Sequence, residues 1–425
     1  MAVRGGGLSL AMLGLGLLLM AGCGPPRAEE FSFPEDRECI VSLRLWKETP
    51  RGPQVILEVT DPVLLDYFLV QLEKAEPVST PSFPSERYFI SFRLNTDKGI
   101  RETGLFAYQT HSWDPQAPGY FGWDGRWVKL PPSFNGLLFD LWGYSHPSGA
   151  IEGADALFLR QYGWTPLYHI NSGTVRLPRQ FLHRAGEFPL PLYWAYANEL
   201  SKDVGLDLTP YLGREVEVTL YKVKEPLPLF AEPRRWSGCA VLVKAEGRLV
   251  GAWLDAGPGY GFACSLKGRR LEEIAGKSFG DWVASFTDYN DPVELRLARM
   301  TPEEVIRTYW EAVNRGDYRL AHACETRKRL LGYLFMEMDK NWIYSVSLTQ
   351  AASADWAQTV RSARVLSVKE VEGTTDRKKK EYMVEVDLRV RRADALQDGH
   401  RPLFFTMERE NERSGWRIAG IGTGP

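Results

Sequence analysis

The chain has 425 residues, too long for one ordinary domain and enough for two or three. Apolar residues make up 44% and charged residues 25%, which excludes wholesale disorder. With 52 basic against 54 acidic side chains the net charge is -2, so the basic surplus of a nucleic-acid binder is missing and no nucleic-acid partner is expected. The unusual count is 14 tryptophans, and 39 glycines with 27 prolines point to many turns and short elements.

The N-terminus carries Arg4 and then an apolar run from Leu8 to Ala21. That run is shorter than the ~20 residues a membrane-spanning helix needs. A charged start, a short apolar core and small residues at its end describe a secretory signal. It leads into Leu19-Met20-Ala21-Gly22-Cys23. This stretch resembles the lipobox of bacterial lipoproteins, and its style that of Gram-positive bacteria. Where the family usually has Leu, three residues before the cysteine, this chain has Met20, with Leu19 one place earlier. The resemblance implies a signal peptide over 1–22, lipidation of Cys23 and anchorage on the outer, extracytoplasmic face of the cell membrane. Two or three acyl chains hold a protein there without a spanning helix. The plainer alternative is an uncleaved apolar anchor with an incidental cysteine. Residues 23–36 read as a tether.

A first α+β module is expected over 37–142. Cys39 to Trp46, Gln54 to Val59, Tyr88 to Asn95 and Ile100 to Tyr108 read as strands. Asp61-Pro62 opens a helix through Glu73, with Leu64, Leu65, Phe68 and Leu72 on one face. In Tyr120 to Val128, Asp124-Gly125 is a two-residue hairpin turn. It sets Trp123 opposite Arg126 and Gly122 opposite Trp127, whose ring can cover the bare glycine. A short helix over 131–141 closes the unit, and 143–153 is a breaker-rich linker.

The middle module is placed at 154–268, with helices at 154–162 and 192–204 and strands at 215–223, 238–244 and 249–255. Cys39, Cys239, Cys264 and Cys324 allow three pairings in an oxidising space. A turn at Glu246-Gly247 pairs 239 with 254, and a further turn puts Cys264 near 251. Cys239 and Cys264 are then too far apart to bridge, and no disulfide is favoured. Phe158 to Trp164, Arg176-Leu177-Pro178, Gly205 to Gly213 and Val250-Gly251 resemble an extracytoplasmic module found in lipoproteins of Gram-positive, often spore-forming bacteria. That family has no assigned activity, so the resemblance implies no catalytic residues.

Residues 269–300 read as a helical connector anchored by Trp282 and Phe286. The last module, 301–425, opens on Thr301-Pro302-Glu303-Glu304, a capping box with proline where its missing N–H costs nothing. Three helices and the strands 361–371, 381–391, 403–410 and 415–421 follow. Helices before a long antiparallel sheet describe a cone. The opening and the ending Gly415 to Pro425 resemble a nuclear-transport-factor-type, cystatin-like cone, in a lipoprotein-associated branch of that superfamily. The expected class is therefore α+β: three small modules in tandem, the last a cone of helices and curved sheet.

Candidate chemistry is sparse. Gly257 to Phe262 lacks the Lys-Ser/Thr of a phosphate loop and reads as a turn. No Cys-x-x-Cys or His-rich spacing suggests a metal, and no cofactor is expected. Tyr309, His322, Asp387 and Arg389 could face the mouth of the cone for acid–base work. However, the alternation of Glu385, Asp387, Arg389 and Arg391 with Val384, Val386, Leu388 and Val390 is that of a strand with one wet face. Arg377 to Lys380 reads as a solvated hairpin tip, with anionic lipid or wall polymer as the alternative contact. Tyr120, Trp123 and Trp127 could stack on wall glycan or simply fill a core. The sequence thus favours a non-catalytic, lipid-anchored binding module for an envelope protein partner or small ligand. The alternatives are cell-wall glycan binding through the hairpin 120–127 and an enzyme using the mouth of the cone.

Overall fold

The computed structural model describes residues 37–79, 88–110, 118–143, 147–231, 235–256, 263–336, 360–371, 377–391 and 397–424. The stretches read from sequence as signal (1–22) and tether (23–36), Cys23 included, and the glycine-rich stretch 257–262 lie outside them. The architecture is α+β, in three antiparallel sheets met in succession along the chain.

The first sheet contains β1 (Ile40–Lys47), β2 (Gln54–Val59), β3 (Glu76–Val78), β4 (Tyr88–Thr96), β5 (Gly99–Glu102), β6 (Phe106–Gln109), β7 (Tyr120–Trp123) and β8 (Arg126–Lys129). Its order is β2-β1-β4-β6-β7-β8-β3, with β5 paired to β4. Helices α1 (Pro62–Glu73) and α2 (Pro132–Gly143) complete the unit. Asp61 starts α1 as expected, accepting from the backbone of Val63 and Leu64 at 2.9 and 3.0 Å. Phe68 of α1 and Phe134 of α2 meet edge to face, and both are buried with the sheet residues Leu43, Ile90, Tyr108 and Phe121.

The middle sheet runs β12-β11-β10-β9, from β9 (Pro166–Arg176), β10 (Glu215–Val223), β11 (Cys239–Ala245) and β12 (Arg248–Asp255). Helices α3 (Gly153–Gln161) and α4 (Leu190–Lys202) belong to it. Both faces of β10, β11 and β12 are buried, in two separate clusters. That explains the unbroken apolar runs of these strands. The strand β9 was not expected: His169, Asn171, Ser172 and Gly173 blur its alternation, as an edge strand permits. The Glu246-Gly247 hairpin forms, but its register slips by one between Val243 and Lys244. Cys239 therefore faces Asp255 rather than 254, and Cys264 bridges Leu254 rather than lying near 251. Cys239 and Cys264 stand two strand spacings apart, about 9–10 Å. None of the four described cysteines is in a disulfide.

The connector folds into α5 (Leu271–Ala275), α6 (Phe279–Val283) and α7 (Pro292–Leu297). The C-terminal part contains α8 (Pro302–Arg315), α9 (Tyr318–Ala323), α10 (Arg327–Met336) and the sheet β13 (Val360–Glu370), β14 (Lys379–Val390), β15 (Gly399–Glu408) and β16 (Arg417–Gly422). The capping box is present: Thr301 Oγ1 accepts from Glu304 N at 3.2 Å and Glu304 Oε2 from Thr301 N at 2.8 Å. Helix α8 packs Val305, Ile306, Tyr309 and Trp310 in one core with Val384, Val386, Phe405 and Ile418 of the sheet. Helix α10 departs from this pattern. Its Leu331, Leu334 and Phe335 join the core of the middle sheet instead, with Phe335 centred 5.2 Å from both Tyr193 and Tyr196.

Candidate functional site

The union of α10 with the middle core leaves a cleft of about 520 Å³, bounded by Tyr196, Phe230, Ala263, Arg270, Glu272, Glu273, Phe279 and Lys328. Each wall has a local cause. Tyr196 is held on α4 between Phe335 and Trp282, and its hydroxyl donates to the Ala263 carbonyl at 3.2 Å. Burial raises this phenol far above its ordinary range, so it remains a neutral wall. Phe279 opens α6, whose Ser278 cap accepts from Asp281 N at 3.2 Å. Glu273 turns back to accept from the backbone N–H of Arg270 at 3.1 Å. The Arg270 guanidinium lies 4.3 Å from the centre of the Phe230 ring, and Lys328 Nζ lies 6.0 Å from that of Phe279.

Beneath the cleft a buried charge cluster fixes α10. The Lys328 backbone N–H donates to Glu410 at 2.9 Å. Arg327 contacts Glu294 at 2.8 Å and Glu410 at 3.4 Å. Arg417 stands 3.2 Å from Glu294. Burial pushes the Glu410 carboxyl up, against the opposing pull of Arg327. Two arginines and two carboxylates balance, as charges removed from water must.

Families of known sequence pattern meet at this place. Residues 158–254 match the model of a domain of unknown function, DUF4830, and residues 303–422 match that of a second, DUF4829. No curated protein matches the chain. The first matched stretch supplies Tyr196 and Phe230 to the cleft, and the second supplies Lys328. Ala263, Arg270, Glu272, Glu273 and Phe279 come from between them, so neither matched domain forms the cleft alone.

Of the four residues that could face the mouth of a cone, Tyr309 lies on one face of the sheet and Asp387 and Arg389 on the other. Tyr309 is buried against Trp310 and Phe405 on the inner face of the sheet. Asp387 and Arg389 point to the other face, near Arg364 at 3.8 Å and Asp398 at 3.6 Å. The wet-face reading of that strand therefore describes them. His322 is half-buried on α9. In the basic run, Lys380 is already paired with Glu370 at 3.0 Å.

The aromatic hairpin divides in the same way. Asp124 and Gly125 both have positive φ, 46° and 77°, and the register sets Gly122 against Trp127 and Trp123 against Arg126, as expected. Trp123 turns inward to Phe121, 5.8 Å away, and packs on the core. Trp127 lies on the opposite face, and so do Tyr120 and Lys129 by strand alternation. A Cβ built on Gly122 would lie 2.8 Å from three consecutive atoms of the Trp127 ring, so the indole is face-on to the strand.

A serine–histidine pair that the sequence did not suggest also occurs. Ser148 Oγ lies 3.0 Å from His169 Nδ1, but it also donates to the Ile170 carbonyl at 2.5 Å. With its proton committed to a carbonyl, the hydroxyl can only accept from the imidazole, which is the reverse of nucleophile activation. The cleft residues were not legible in advance because they come from five separated segments with no common spacing. In the sequence Arg270 and Lys328 show only as cations beside arginines, and the carboxylates that hold Arg269 and Arg327 appear only in the fold.

Proposed function

We propose that the chain is a lipid-anchored extracytoplasmic protein of Gram-positive type. It binds a small ligand in the cleft between the middle sheet, the connector and α10, and carries out no chemistry on it. The observation that carries this reading is the cleft itself. Its volume suits a metabolite-sized molecule, and three aromatic and four charged side chains converge on it. On this reading the C-terminal module is a nuclear-transport-factor-type cone that contributes a helix to the ligand site. The anchor rests on Leu19 to Cys23. Among the described residues no helix is long and apolar enough to cross a membrane.

Two measurements test the two parts. Cys23→Ala should move the protein from membranes to the medium, and unchanged membrane association would refute the anchor. A small-molecule extract of the cell envelope should raise the melting temperature of the full chain but not that of Ala263→Trp, which fills the cleft. Equal behaviour of the two proteins would count against the cleft.

A second reading has one specific observation in its favour. The indole of Trp127 lies flat on the strand at Gly122, with Tyr120 on the same side, as a stacking platform for a sugar ring requires. Purified peptidoglycan should then retain the wild-type chain and Trp123→Ala but not Trp127→Ala. Loss of retention in neither variant, or in both alike, would remove this reading.

A further inference from the structure

The charges around the cleft follow a pattern. Of the consecutive arginines 269 and 270, Arg269 takes Asp203 at 2.8 Å, whereas Arg270 has no ion pair among the described residues. Glu272 and Glu273 follow closely in sequence, yet Glu273 caps the backbone instead. The guanidinium of Arg270 rests on Phe230, which leaves its fork of N–H donors open. The same pattern recurs on α10. Arg327 and Arg329 are held by carboxylates, at 2.8 Å to Glu294 and 2.6 Å to Glu325. Lys328 between them forms no ion pair among the described residues and rests near Phe279. In both segments the cations beside the cleft's own are consumed, and the one that lines the cleft is open. Glu272 and Glu273 both keep their charge, since a bond from a backbone N–H neutralises nothing, so the four charged walls sum to zero. Arg270 and Lys328 add two sets of donors that rest on aromatic rings with no carboxylate of the described residues paired to either.

We propose that the cleft selects small organic anions: a carboxylate or phosphate on an apolar body, its acid group facing Arg270 and Lys328 and its body against Tyr196, Phe230 and Phe279. This rests on the ligand-binding reading above and adds the chemical class. Arg270 offers a planar fork that suits either acid, and Lys328 a point charge.

The test uses the full chain in a non-ionic detergent at low salt, with melting followed by tryptophan fluorescence. The probes are phenylacetate, phenyl phosphate, inorganic phosphate and the neutral 2-phenylethanol. Phenylacetate or phenyl phosphate should raise the melting temperature by a few degrees, more than either the neutral alcohol or inorganic phosphate. The order of the two aromatic anions then distinguishes a carboxylate from a phosphate ligand. Added salt should reduce the rise. The double variant Arg270→Gln/Lys328→Gln should melt like the wild type without probe and lose the rise with it, since both side chains are exposed. Stabilisation by the alcohol as large as that by the anions, and abolished in Ala263→Trp, would overturn the anion class while sparing the cleft. No shift with any probe would overturn the anion class. Shifts that persist in both the double variant and Ala263→Trp would overturn the anion class and the cleft together.

Discussion

His183 shows how a single buried side chain couples this structure to pH. Its Nε2 lies 2.9 Å from the Glu187 carbonyl, and its backbone bonds to Phe286 and Asp288 tie the loop before α4 to the connector. Burial, and then the charge of Arg327, push the imidazole down from 6.5 to about 3. Below pH 6.5 the unfolded chain takes up a proton that the folded chain refuses until about 3. Stability present above pH 6.5 is therefore lost as the pH falls through that window, by about 1.4 kcal/mol per unit. Urea titrations should show a shallower acid loss for His183→Gln than for the wild type, and equal slopes would contradict the assignment. The thiols make a second case. Burial pushes Cys264 and Cys324 up to about 12, and Cys239 is fully buried, whereas Cys39 is partly exposed. A thiol reagent should label Cys39 in the native protein and reach the other three after unfolding.

Among the elements, those with local start signals were legible. Asp61-Pro62 and Thr301-Pro302-Glu303-Glu304 placed α1 and α8 within a residue, because capping satisfies backbone groups that no tertiary contact supplies. Asp124-Gly125 and Glu246-Gly247 placed two hairpins for the same local reason. Edge strand β9 and the irregularity after Val243 escaped, since neither leaves a hydrophobic period. The cleft escaped because its residues converge only through α10, whose buried face gives no clue to which core it joins. Helix α6 offers a direct test of that junction. A Cβ at Gly280 would lie 1.7 Å from the Glu410 carbonyl oxygen, so only glycine lets α6 approach that closely. Gly280→Ala should cost roughly 1–3 kcal/mol in denaturant and loosen the cleft. A neutral result would show that the junction is not packed as described.

The whole molecule is more continuous than three modules in tandem suggest. One buried cluster runs from Leu43 and Phe68 through Tyr193 and Trp253 to Leu331. The N-terminal and middle sheets are also joined by a buried ion pair between Asp140 of α2 and Lys222 of β10, with the Trp236 carbonyl accepting from Lys222 Nζ at 2.6 Å. Removing one partner strands the other charge, so Asp140→Ala should cost about 3–5 kcal/mol. It should lower the unfolding of both sheets together, read as coincident shifts in fluorescence and circular dichroism. A change confined to one probe would show that the two sheets unfold separately. The excess of tryptophan belongs to this scale as well, since Trp194, Trp253, Trp282 and Trp310 are among the largest fully buried side chains. The central claim is that these parts are joined around a small-molecule site. Native mass spectrometry of the full chain purified from membranes should detect a bound small molecule in the wild type and none in Ala263→Trp. The same spectrum for both proteins, with or without a bound molecule, would contradict it.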